Sequence, residues 1–99
     1  MIVVTGRIVV RDGALAKLRP VMQAMIAASR AEPGCIEYYY GPELTDPNAF
    51  LVLEKWESWE DLDAHFEKPH LKAWRAALHG AGMVSRDMIA ADGENIKEV

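Results

Sequence analysis

Residues 54–74 read EKWESWEDLDAHFEKPHLKAW, and the way this stretch divides decides the fold. Strand-like Leu51-Val52-Leu53 leads into it, Ser58 offers a side-chain oxygen to cap a helix, and Asp61 follows three residues on as a capping-box partner. Leu62, His65 and Phe66 fall at i, i+3 and i+4, so the imidazole lies on or beside the face that this helix buries. Lys68-Pro69 ends the helix, and Pro69 suits the first turn of the next. Trp56, Trp59, Phe66 and Trp74 crowd the corner. An imidazole among indoles and a phenyl ring is a candidate chemical group in an apolar pocket.

Outward from this corner, Phe50–Trp56 and Cys35–Gly41 read as strands, rich in residues that suit a pleated surface. The turn residues between them, Pro42 and Thr45-Asp46-Pro47-Asn48, make them an antiparallel hairpin. Further back, Leu15, Leu18, Val21 or Met22, Met25 and Ile26 recur at helical spacing up to about Ala31. Pro20 should kink that helix, and Pro33-Gly34 should close it. Ile2–Val10 is a strand with Ile2, Val4, Ile8 and Val10 on one side and Val3, Thr5, Arg7 and Val9 on the other; Asp12-Gly13 then turns the chain. Beyond the corner, Leu71, Trp74 and Leu78 stripe a helix over about 69–79, Gly80 and Gly82 end it, and Met83–Ala91 is the last strand. A polar tail, 92–99, follows.

The order β-α-β-β-α-α-β makes an α+β, ferredoxin-like domain spanning 1–99, with a four-stranded antiparallel sheet and helices on one face. Apolar residues stand on both sides of several strands, too many for three helices to cover. A homodimer through the sheet faces is the expected solution.

Composition narrows the function. A chain of 99 residues holds one core, and 51% hydrophobic with 26% charged residues is ordinary globular material. A net charge of -4 and a pI near 5.3 argue against a nucleic-acid partner, which calls for a basic stripe. No apolar run approaches the ~20 residues that span a bilayer, and MIVVTGRIVV is no secretory signal, so the cytoplasm is the expected compartment. The single cysteine, Cys35, excludes an intrachain disulfide and a multi-cysteine metal site, and it reads as a small buried thiol.

Pro33-Gly34-Cys35, Glu54-Lys55-Trp56-Glu57-Ser58, His65, Pro69-His70 and Lys72-Ala73-Trp74 together resemble the antibiotic biosynthesis monooxygenase family, with the small quinol monooxygenase-like members nearest. The resemblance implies a dimeric α+β barrel. It also implies oxidation of a small aromatic quinol, hydroquinone or anthrone-like polyketide by O2, with no metal or organic cofactor. A deprotonated dihydroxyaromatic can pass an electron to dioxygen itself, leaving the protein to supply a dry pocket, a base and orienting groups. Some features of family members are missing. Val52 stands where polyketide-tailoring members carry asparagine, and Leu62 where they carry tyrosine. Arg75 occupies the place of the axial histidine of haem-degrading relatives, and the first strand lacks their asparagine, so haem degradation is not expected. A branch that isomerises a phosphorylated sugar has a histidine matching His65; Arg7, Lys55, Lys72, Arg75 and Arg86 are the cations that could serve it.

His65 is the candidate catalytic base, since an imidazole titrates near neutral pH; the plainer alternative is a packed helix histidine. Trp56, Trp59, Phe66, Tyr38, Tyr40 and Trp74 are the candidate pocket walls; the plainer alternative is packing, at the corner for Trp56 or Trp59, in the core for Trp74 and at the interface for the tyrosines. Tyr38 and Tyr40 share one face and Tyr39 the other, so one set meets the helices and the other the partner sheet or the pocket. His70 should face solvent or the dimer rim, and His79 should place a favourable charge near a helix C-terminus. Scattered histidines without i,i+4 spacing make a weak metal site. Three functions fit: the cofactor-free monooxygenase, an isomerase using His65 on a polar or phosphorylated substrate, and a non-catalytic small-ligand dimer.

Overall fold

A computed structural model describes all 99 residues. The strands are β1 (Ile2–Val10), β2 (Cys35–Pro42), β3 (Ala49–Trp56) and β4 (Met83–Asp92), and the helices α1 (Ala14–Arg30), α2 (Trp59–Phe66) and α3 (Pro69–Ala81). The sheet is antiparallel in the order β2-β3-β1-β4. This is the ferredoxin-like plan, with its second crossover broken at Pro69.

Alternation on the strands puts one face against the helices. Ile2, Val4, Ile8 and Val10 of β1 are buried, as are Phe50, Val52 and Trp56 of β3 and Tyr38 of β2. Leu18 and Met25 of α1, Leu62 of α2, and Leu71, Trp74 and Leu78 of α3 close the core over them. Burying apolar side chains of this size contributes roughly 1.5–3 kcal/mol each, and this layer holds most of the chain's apolar burial. Gly6 interrupts the inward row of β1 because β4 passes so close that a Cβ there would collide with the Asp87 carbonyl and the Met88 sulfur.

The other face is bare in the single chain. Register sets Tyr39, Leu53, Thr5 and Ile89 in one row across all four strands, and Tyr39 and Ile89 are 49% and 62% exposed. Leu51, two residues along, is 45% exposed.

The element ends differ in detail from the sequence reading. α1 continues through Pro20, on its exposed side, and ends at Arg30 with Ala31 as its cap, before Pro33-Gly34. α3 runs through Gly80 to Ala81 and is stopped by Gly82 alone, in the left-handed conformation. Residues 93–99 form neither helix nor strand, and no helix is long and apolar enough to cross a membrane.

Candidate active site

The site begins at the start of α2. Ser58 caps it: its Oγ accepts from the Asp61 N–H at 3.1 Å and donates to Asp61 Oδ2 at 3.0 Å. The Asp61 carboxylate therefore reaches the capping hydroxyl, where a capping box would send it to the backbone. It also rests against Gly34, whose φ is +81° and which has no room for a Cβ on that side. This contact ties α2, which carries His65, to the turn after α1, which carries Glu32.

His65 is 1% exposed. Its Nδ1 lies 2.6 Å from Glu32 Oε2, and His70 Nε2 lies 2.8 Å from the same oxygen. A carboxylate oxygen only accepts, so each ring presents an N–H to it. With the proton on Nδ1, His65 Nε2 keeps its lone pair and accepts from the Tyr38 hydroxyl at 3.2 Å. Burial holds this imidazole below its usual pKa, against the opposing hydrogen bond and charge of Glu32. The ring is therefore neutral at neutral pH, with a basic nitrogen on the side away from Glu32.

On that side stands Glu54. Its Oε1 lies 3.9 Å from His65 Nε2 and accepts from the Trp56 indole N–H at 3.0 Å. Burial raises the Glu54 carboxyl above the usual carboxylate range, and the Trp56 hydrogen bond pulls the other way. The Tyr38 hydroxyl lies 3.4 Å from that of Tyr40. Burial raises both phenols, that of Tyr40 to about 12, so both remain protonated donors.

A cavity of about 210 Å³ opens beside these groups, between α2 and α3 on one side and β1 and β4 on the other. It exceeds the ~150 Å³ apolar cavity that accepts a benzene ring. Val4, Ile8, Leu62, Leu71, Leu78 and Met88 give it apolar walls, its charged and polar lining is Glu54, His65, Arg75 and Arg86, and Tyr40 completes it. The Arg75 guanidinium lies 5.0 Å from the Phe66 ring centre, a cation–π contact at the cavity wall. A more open cavity of about 550 Å³ lies on the far side of Tyr40, between α1 and the 42–48 loop; its charged lining, Asp12 and Arg19, is exposed.

The aromatic residues singled out from sequence divide into three groups. Tyr40, Phe66 and Trp74 line the smaller cavity with His65. Tyr38 and Trp56 are fully buried and pack against the His65 ring, at centroid distances of 5.3 and 4.7 Å, rather than facing the cavity. Trp59, the first residue of α2, is 44% exposed and lines neither cavity. His70 turns inward to Glu32 where the sequence suggested solvent, while His79 is exposed at the end of α3. Burial raises the pKa of the half-buried Cys35 thiol, which argues against a nucleophile.

Glu32 and Glu54 were not anticipated as site residues. Glu54 had one signal: it alternates with Val52 and Trp56 on the inward side of its strand. Glu32 had none beyond its place before Pro33-Gly34. The Glu32, His65 and His70 donor atoms also lie within 4.8 Å of one another, close enough to share a cation.

The antibiotic biosynthesis monooxygenase family matches residues 1–77 of the chain. The uncharacterized protein sll1783 of Synechocystis is 39% identical over 69 residues, covering 70% of this chain and 47% of its own length; the chain thus spans about half of that relative. Rv0793 of Mycobacterium tuberculosis, which carries a provisional assignment as a monooxygenase, is 35% identical over 77 residues, 78% of this chain and 75% of the relative. Its solved structure superposes with a TM-score of 0.86 at 26% identity, covering 98% of each chain. The probable quinol monooxygenase YgiN of Escherichia coli is 41% identical over 34 residues, 34% of this chain and 33% of its own. With the family match spanning both the corner that carries His65 and the turn that carries Glu32, the chain belongs to the antibiotic biosynthesis monooxygenase family.

Proposed function

We propose that the protein is a cofactor-independent monooxygenase that oxidises a small aromatic quinol, hydroquinone or anthrone-like polyketide with O2. One observation carries the reading: His65 is buried, its Nδ1 proton is held by Glu32, and the ring borders a cavity sized for one aromatic ring. In that cavity His65 Nε2 takes the substrate hydroxyl proton, displacing the hydrogen bond from Tyr38, and the resulting anion is electron-rich enough to reduce dioxygen. The apolar walls exclude water from the reduced-oxygen intermediates, and Arg75 and Arg86 stabilise the negative charge that develops. Trp56 and Tyr38 hold the ring rather than touch the substrate, Glu54 faces the cavity beside Nε2, and Tyr40, Phe66 and Trp74 are the walls. Trp59 is proposed as an outer rim residue only.

The working unit in this reading is a homodimer, with the bare row Tyr39, Leu53, Thr5 and Ile89 against its counterpart. The test is oxygen consumption by metal-free protein across a panel of hydroquinones and anthrones. Uptake at the autoxidation rate throughout the panel refutes it. Two guanidiniums at the cavity also favour a second reading, an isomerase of a phosphorylated substrate with His65 as its base. Proton exchange without oxygen uptake, inhibited by inorganic phosphate, would select that reading over the first.

A further inference from the structure

Glu32 is 8% exposed, and the only groups shown bonded to its Oε2 are two imidazole nitrogens. A buried carboxylate oxygen with no lysine or arginine against it, only imidazole nitrogens, is a ready ligand for a cation. Two imidazole nitrogens with one carboxylate oxygen is a donor set suited to zinc and its neighbours, and unsuited to magnesium or calcium. The spacing comes close. Imidazoles sharing one tetrahedral zinc, with Zn–N near 2.1 Å, place their ring centres about 5.3 Å apart; those of His65 and His70 are 6.1 Å apart, so the two rings need to close by less than about 1 Å. The donor atoms now sit at hydrogen-bond separation, 2.6 and 2.8 Å, so accepting an ion requires Oε2 to retreat by less than about 1 Å. Part of the His70 side chain, 23% exposed, offers the way in.

We propose that Glu32, His65 Nδ1 and His70 Nε2 form an inhibitory site for Zn2+ or a similar soft divalent cation, which when filled removes His65 from service as a base. The inhibitory half of this inference rests on the proposed function; the binding half does not. The chemistry is a proton relocation with no change of oxidation state. The metal takes a lone pair from His65 Nδ1 and one from His70 Nε2; the proton displaced from His65 Nδ1 moves to its Nε2, leaving that ring neutral, and the proton displaced from His70 Nε2 leaves to its own Nδ1 or to solvent. His65 Nε2 then carries an N–H, which can donate to Tyr38 or Glu54 and can no longer accept a substrate proton.

The experiment is a calorimetric titration of ZnCl2 into wild-type protein, His70→Gln and His79→Gln, with MgCl2 as control. Wild type and His79→Gln should bind one zinc per chain and no magnesium. His70→Gln should bind at least tenfold more weakly, since even hydrogen-bond partners of metal ligands are worth about 10–100-fold. Nitrogen NMR of labelled histidine should show His65 changing from the Nδ1–H to the Nε2–H tautomer as zinc is added, and oxygen uptake, where wild type shows it, should fall in parallel. Absence of stoichiometric zinc binding, or equal binding by His70→Gln, overturns the site. Binding with no change of His65 tautomer overturns the switch. If no substrate is turned over, calorimetry and NMR still decide the site, and only the proposed function fails.

Discussion

His65→Gln separates chemistry from packing. The substitution keeps a polar side chain in a fully buried position but removes the Nδ1 donor held 2.6 Å from Glu32 and the Nε2 acceptor 3.2 Å from the Tyr38 hydroxyl. A hydrogen bond to a charged group is worth about 1.5–3 kcal/mol, and a neutral one about 1 kcal/mol. His70 still donates to the same Glu32 oxygen at 2.8 Å, so the carboxylate is not orphaned, and the loss should fall near 2 kcal/mol. For a domain of this size that lowers Tm by roughly 8–16 °C. Turnover should fall by about 10²-fold or more, the usual contribution of a general base. Wild-type turnover should rise with pH through a midpoint below the ordinary imidazole value, because burial holds the folded pKa down and the active form is the neutral ring. Thermal melting and oxygen uptake measured on one sample decide the matter. A folded His65→Gln protein with wild-type turnover would refute the role of His65 and leave substrate self-activation in an apolar pocket.

Glu54→Gln should stabilise the protein at pH 8 and leave it unchanged near pH 4. The native state holds the Glu54 proton more tightly than the unfolded chain, so the stability that this carboxyl contributes is complete below its unfolded pKa and is lost as pH rises through the folded one. Each unit of that elevation is worth about 1.4 kcal/mol, and equal denaturation midpoints for the two proteins at pH 8 would refute it. Gly34→Ala should cost about 2–3 kcal/mol, because it forces an L side chain into positive φ and pushes Asp61 off Ser58; urea titration measures it, and a change under 0.5 kcal/mol would mean the turn is pliant. Leu53→Lys, in the centre of the bare sheet face, should convert a dimer near 22 kDa by light scattering to the 11.0 kDa chain, whereas a wild type already at the smaller mass removes the dimer.

Much of the fold was legible because its signals are local. Alternation on β1, the Ser58 cap, Pro69 at the first turn of α3 and Gly82 at its end each act within a few residues of themselves. The site was half legible. His65 could be placed on the buried face of α2 from Leu62 and Phe66, but nothing in that periodicity says what its far nitrogen touches. Glu32 lies 33 positions away, and only the closure of the sheet brings it under the ring. The aromatic residues were ambiguous for the same reason. Tyr38 and Trp56 alternate inward like Tyr40, yet they pack against the His65 ring and became its support, while Tyr40 reached the cavity; alternation gives the face of a strand and not the neighbour met there.

The shared oxygen of Glu32 also bears on the order of assembly. Its two hydrogen bonds close chain loops of 33 and 38 residues, with the whole β2–β3 hairpin and α2 lying inside them. Loop closure of that length is costly until the intervening hairpin has formed. Contacts at Glu32 should therefore mature after the rate-limiting step, so weakening them would hasten unfolding while leaving the folding rate almost untouched. Such a protein would acquire its shape first and its candidate site last, and its half-life against unfolding would depend on the same oxygen that holds His65.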